Sequence, residues 1–162
     1  MKRHEGFTII ELLTVVAMIG LMAAMGVPAI RSFSRSTDVK AAATQLAADG
    51  WLARQRAIAT SDPHSIRFDP DENRYRVFRD DGNGTAGNAA NGQIDTGEEV
   101  LIDRHLDARF DLSDVNLDPA NAAIFMPKGS LKTGTAGGQL MITGENASRT
   151  VFIRPSGMCK VE

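Results

Sequence analysis

The feature that most constrains this chain is a lone carboxylate inside an apolar run near the start, "GFTIIELLTVVAMIG" at residues 6–20. Residues 7–30 contain no Lys, Arg or Asp, and Glu11 is their only acid. Coiled into a helix at about 1.5 Å per residue, they rise about 36 Å, enough to cross the hydrocarbon core of a bilayer. A carboxylate at that depth is expensive, so it points to a specific partner rather than to plain anchoring. Gly20, Gly26 and Pro28 punctuate the second half of the run. Proline inside a helix removes one backbone donor and either ends or loosens the helix there.

Lys2, Arg3 and His4 precede the run and favour a cytoplasmic leading end, with the remainder across the membrane. A conventional signal peptide would also begin this way, but its small-residue cleavage site would fall on Gly26-Val27-Pro28-Ala29, where proline is ill placed. The competing expectation, a soluble secreted protein, requires cleavage near residue 26. With a net charge of −2 over 162 residues, no global attraction to nucleic acid or anionic lipid follows. The single cysteine, Cys159, excludes an intramolecular disulfide and reads as a small, half-buried residue.

Helical signals continue past Arg31. Val39, Ala43, Leu46, Gly50, Ala53 and Ala57 recur in steps of four and three, one stripe of mostly small residues flanked by Trp51 and Leu52. Lys40, Asp49, Arg54 and Arg56 read as lying mostly off the stripe. The spacing predicts one rod of about 50 residues, membrane-type in its first half and amphipathic in its second. After "SDPH" at residues 61–64 the period changes to two. Strands are expected at 65–68, 74–79, 99–103, 105–112, 122–126, 138–143, 149–154 and 157–161. Residues 129–138 and 144–148 read as hairpin links. Residues 80–99, rich in Gly, Asn and Asp, read as an exposed loop. The fold class is α+β: a long N-terminal helix packed on a small antiparallel β-sheet domain.

Few residues assemble into chemistry. His64 and His105 have no Ser or Cys partner in an evident constellation, so no acid, base and nucleophile come together, and no enzyme or cofactor is expected. Asp81, Asn83 and Asp95 in the 80–99 loop are weak candidates for a hard cation, and a solvated loop is the preferred reading.

The leader, Gly6 before Phe7, Thr8, Glu11 and the long apolar helix with Gly20 and Pro28 resemble the N-terminus of type IV pilins and type II secretion pseudopilins. "LARQRAIAT" closing the helix, the Asp/Gly/Asn loop before "GEEVLI" and the terminal "VFIRPSGMCKV" resemble H-type pseudopilins and FimT-like minor pilins. The resemblance implies a leader at 1–6 removed by a prepilin peptidase after Gly6, and N-methylation of Phe7. It implies a transmembrane and assembly helix at 7–30, with an amphipathic helix and periplasmic β domain at 31–162. It also implies a single-pass subunit of the bacterial inner membrane, extracted with other subunits into a helical fibre. Glu11, Gly20 and Pro28 are then assembly residues, Glu11 facing a neighbour's Phe7 amine. The type II pseudopilus and the type IV pilus remain equal alternatives. FimT-like pilins that take up DNA carry Gly-Arg-x-Arg in the last strand. Here that stretch is Gly157-Met158-Cys159-Lys160, and a DNA receptor using Arg149, Arg154 and Lys160 is the alternative function.

Overall fold

A computed structural model of the chain describes residues 7–83, 88–118, 121–134 and 137–162, and for helix residues 25–35 the backbone alone. Helix α1 (Ile9–Thr60) is unbroken for 52 residues and so about 78 Å long. It starts where Thr8, in an extended conformation, caps it, and stops where Ser61 takes the left-handed conformation at φ 61°. The backbone stays helical through position 28. Eight strands follow: β1 (His64–Asp69), β2 (Arg74–Arg79), β3 (Val100–His105), β4 (Asp111–Asn116), β5 (Ala122–Phe125), β6 (Gly138–Thr143), β7 (Ser148–Ile153) and β8 (Cys159–Val161).

The strands form two antiparallel four-stranded sheets, ordered β3-β2-β1-β5 and β4-β6-β7-β8. The chain changes sheet between β3 and β4, again between β4 and β5, and again between β5 and β6. The 129–138 link is therefore not a hairpin. It carries the chain from one sheet to the other, after a single bridge between Phe125 and Leu131. The 144–148 link does join a hairpin, β6–β7. The strand expected at 105–112 begins only at Asp111, because Asp107 and Phe110 close a turn with a 2.8 Å backbone hydrogen bond.

The second half of α1 packs on the inner faces of both sheets. Val39, Ala43, Leu46, Ala53 and Ala57 are buried against Ile66, Phe68, Tyr75 and Val77 of the first sheet and Leu140, Ile142, Val151 and Ile153 of the second. The small side chains of the stripe let the sheets approach closely. A Cβ on Gly50 would lie 2.8 Å from the Cys159 sulfur, and one on Gly144 would lie 2.6 Å from Val39. Trp51, beside the stripe, is exposed.

Asp49, read as lying mostly off the stripe, is buried, and it accepts hydrogen bonds from the Tyr75 hydroxyl at 2.7 Å, Arg104 Nε at 3.1 Å and Gln45 Nε2 at 3.0 Å. A buried carboxylate with three donors is satisfied, and here it ties the helix to β2 and β3.

The 80–99 loop also differs from expectation. Phe78, Ala122 and Ile124 alternate away from α1, yet all are fully buried. The described end of the loop covers them: a Cβ on Gly92 would stand 3.0 Å from Ala122 and 3.4 Å from Ile124. Buried Asp80 holds this cover. Its carboxylate accepts from Ser65 Oγ at 2.7 Å, Asn91 N at 3.1 Å and Gly92 N at 2.8 Å, while its carbonyl accepts from Ala90 N at 2.9 Å. Lys132 Nζ donates to the Ala90 carbonyl at 2.9 Å.

Candidate assembly interface

The first turn of α1 is organised around Thr8 and Glu11. The Thr8 hydroxyl accepts from Glu11 N at 3.3 Å, and Glu11 Oε2 accepts from both Thr8 N and Thr8 Oγ1 at 3.0 Å. This is a capping box: two donors left over at a helix start are satisfied by a reciprocal pair. In the single chain the acid is therefore held by its own helix start. The role of Thr8 went unassigned in the sequence reading, although Thr-Ile-Ile-Glu has the T-x-x-E spacing that signals such a box.

Beyond the cap the helix carries an uncovered apolar surface. Phe7, Ile9, Ile10, Leu12, Leu13, Val15, Val16, Met18, Ile19, Leu21 and Met22 are all exposed, with Phe7 at 80%. Large apolar surfaces left open on a soluble monomer mark a lipid or protein contact. A Cβ on Gly20 would meet nothing within 4 Å, so this stretch has open space for a neighbour. Gly6 and the rest of the 1–6 leader, and the side chain of Pro28, lie outside the described residues. Among the described residues no helix is long and apolar enough to cross a membrane.

The other candidates are dispersed. Of the three basic residues assigned to DNA, Arg154 and Lys160 both act on the Glu162 carboxylate, while Arg149 stands apart. Arg149 lies on the β7 face that carries Val151 and Ile153 inward, and its Nη1 donates to the Ser148 carbonyl at 2.8 Å. Lys160 stands opposite Phe152 on the other face and is paired with Glu162. Arg154 is exposed beyond the end of β7. Phosphate binding needs several cations on one surface, and here Lys160 is already paired with Glu162.

The loop acids are taken up internally. Asp81 lies 3.1 Å from Arg79 Nε and accepts from Asn83 N at 3.0 Å, and Asp95 accepts from Asn91 Nδ2 at 3.1 Å. Among the described residues no group of His, Cys, Asp or Glu is arranged to hold a metal ion. Burial is the largest influence on Glu98, followed among those that raise it by Asp80 and Asp95, and together they hold its carboxyl above the usual range. Burial likewise pushes the Cys159 thiol up to about 11.

A family profile described as "Type II transport protein GspH" matches residues 42–157, and one described as "Prokaryotic N-terminal methylation motif" matches residues 1–27. Two curated proteins, each called "Fimbrial protein" from Pseudomonas aeruginosa, are 31% identical over 75 residues, 43% of this chain and 49% of theirs. The chain thus spans about half the length of the curated relatives it matches. Among solved structures, the minor pseudopilin EpsH of the Vibrio cholerae type 2 secretion system superposes with a TM-score of 0.55 at 16% identity, covering 76% of this chain and 95% of that one. The type IV minor pilin FimU of Pseudomonas aeruginosa superposes at 0.56 and 20% identity, covering 80% and 92%. At these identities the superpositions establish a shared fold, a long helix on a small antiparallel β domain. None of the comparisons favours the DNA receptor.

Proposed function

The chain belongs to the family of the type II transport protein GspH, and from that premise we propose that it is a minor fibre subunit, matured by cleavage between Gly6 and Phe7 and methylation of the Phe7 amine. Its first helical half waits in the inner membrane with the β domain in the periplasm, then leaves the lipid to pack among the helices of other subunits. The observation that carries this reading is the exposed apolar surface from Phe7 to Met22, interrupted by Glu11 alone among charged residues, on a helix continuous with a folded head.

Such a surface suits two environments in turn, lipid first and packed helices second. Glu11 supplies what apolar packing lacks, a register. The capping box keeps its carboxylate satisfied while the subunit is alone. In the fibre the methylated Phe7 amine of a neighbour supplies an opposite charge. A buried ion pair adds little net stability but is costly to leave half made, so subunits that seat with the pair unmade are disfavoured. The membrane-spanning role of residues 7–30 and the assembly roles of Gly20 and Pro28 belong to this same reading.

Glu11→Gln tests it, since it keeps shape and hydrogen bonding but removes the charge. The variant should be processed normally and stay in the membrane fraction, with its share in sheared fibres reduced. Undiminished incorporation would contradict the role given to Glu11.

A further inference from the structure

We propose that the chain carries a binding site for an aminophospholipid headgroup, in a cavity between α1 and the membrane-proximal turns of the β domain. The inference rests on the membrane reading above and adds a lipid that the subunit holds before it leaves the bilayer.

The cavity measures about 470 Å³ and is lined by Asp38, Val39, Arg109, Phe110, Gly144 and Glu145. Asp38 and Val39 lie on α1. Arg109 and Phe110 end a turn that a 2.8 Å hydrogen bond from Phe110 N to the Asp107 carbonyl closes. Gly144 starts the β6–β7 link and stands so near Val39 that a Cβ there would lie 2.6 Å from it. Val39 and Phe110 thus give an apolar wall, and Asp38, Arg109 and Glu145 a charged rim. Arg109 Nε and Nη2 donate to Asp107 at 3.1 and 3.2 Å, and Nη1 reaches Asp38 only at 3.4 Å. A guanidinium has more donors than these contacts use, and a carboxylate accepts from several directions. The Asp38 and Arg109 side chains remain 41% and 65% exposed, so both can take a further partner.

Height and charge order set the class of ligand. From Ile30, the end of the apolar run, to Asp38 the helix climbs about 12 Å. The polar layer of a bilayer extends about 5–8 Å beyond the hydrocarbon on each side. A spanning helix tilts by about 20°, and a tilt toward the β domain lowers the cavity onto that layer. Along the sequence Arg31 and Arg35 come first and Asp38 follows, with Glu145 sharing its cavity. Outward from the lipid, bases therefore precede acids. An aminophospholipid headgroup carries the complementary order, phosphate next to the glycerol and ammonium outermost. Of the other nearby bases, Lys40 lines a separate hollow with Thr37 and Thr44, and Arg149 Nη1 donates to the Ser148 carbonyl.

In the site the ammonium donates to Asp38, with Glu145 as the second carboxylate, and the methylenes of the headgroup lie against Phe110 and Val39. The remaining Arg109 donors meet the phosphate. Charge-assisted hydrogen bonds of this kind need an N–H, so a trimethylated ammonium cannot replace the primary one. At this exposed depth such pairs are screened and weak. The contact therefore orients the β domain on the membrane without opposing extraction of the helix.

The test uses full-length chain in vesicles with a fixed minor share of phosphatidylglycerol. The remaining lipid is phosphatidylethanolamine, its N-methyl or N,N-dimethyl form, or phosphatidylcholine. Flotation reports insertion, and amide hydrogen exchange is followed in 107–110 and 144–147. Exchange should be about fivefold slower in phosphatidylethanolamine than in phosphatidylcholine and should rise with each added methyl. Asp38→Asn with Glu145→Gln should abolish that difference, while Asn91 and Gly92 keep the exchange of the parent and so report an intact fold. If the double variant misfolds, the methyl series in the parent chain still decides. Equal exchange in all four lipids, with the chain floating, would overturn the site and leave the membrane reading standing. A chain that does not float would remove both. Protection that survives the double variant would place the lipid elsewhere and overturn the site. Stronger protection in pure phosphatidylglycerol would give the cavity to phosphate alone, and equal protection by free phosphoethanolamine in detergent would give it to a soluble amine. Either result would overturn the aminophospholipid assignment.

Discussion

The Tyr75 hydroxyl donates a 2.7 Å hydrogen bond to the buried carboxylate of Asp49, and that bond joins the long helix to β2 of the first sheet. Burial first, and then the Asp49 hydrogen bond and charge, push the phenol well above its usual value. Arg104, from β3, reaches the same carboxylate and completes the tie.

Tyr75→Phe removes one donor to a charged acceptor and should cost about 1–3 kcal/mol. Asp49→Ala should cost more, because it strands the Tyr75 hydroxyl. The phenol also sets an alkaline limit. With its value raised in the folded state, its contribution to stability is complete below the unfolded value of about 10 and is lost as pH climbs beyond it. Denaturant titrations of the full chain at pH 8 and pH 11 should show a drop that is smaller in Tyr75→Phe.

Gly50 and Cys159 make a second prediction, one with a change of sign. Alanine at an ordinary helix position gains about 1 kcal/mol over glycine. At position 50 its Cβ would meet the Cys159 sulfur at 2.8 Å, an overlap that costs about 1–3 kcal/mol. Gly50→Ala alone should lower the unfolding midpoint, and Gly50→Ala with Cys159→Ala should recover it or exceed the parent. With the thiol pushed up to about 11, alkylation of Cys159 at pH 8 should run about a hundredfold slower than for a free thiol.

Asp80 anchors the loop that covers Phe78, Ala122 and Ile124. Asp80→Ala leaves Ser65 and the amides of Asn91 and Gly92 without their acceptor, a loss of about 2 kcal/mol in local stability. Amide hydrogen exchange at Asn91 and Gly92 should accelerate about thirtyfold. Limited proteolysis should then cut within 88–97. Exchange unchanged from the parent would mean that other contacts hold the loop.

Local periodicity made much of this fold readable. The stripe from Val39 to Ala57 repeats at helical spacing and is the buried face of α1. Residues 74–79 and 138–143 alternate and form strands with those bounds. What escaped was non-local. Partition of the strands into two sheets depends on pairings between distant segments, and nothing in the 129–138 composition separates a crossover from a hairpin. The turn at Asp107–Phe110 was hidden because its apolar and charged residues imitate strand alternation.

Asp49 and Asp80 were unreadable for a shared reason. An acid normally marks solvent, and only the structure reveals the donors that make burial tolerable. At the interface the reverse holds. Glu11 was conspicuous because nothing apolar around it explains an acid, whereas Thr8, three residues earlier, carries a recognisable capping signal that the larger anomaly overshadowed.

The central claim is that this chain is a processed fibre subunit, and its N-terminus records that directly. Intact mass and N-terminal peptide analysis of protein extracted from membranes should find Phe7 as the first residue, carrying one methyl group on its amine. A chain still starting at Met1, or one starting near residue 27, would contradict the account.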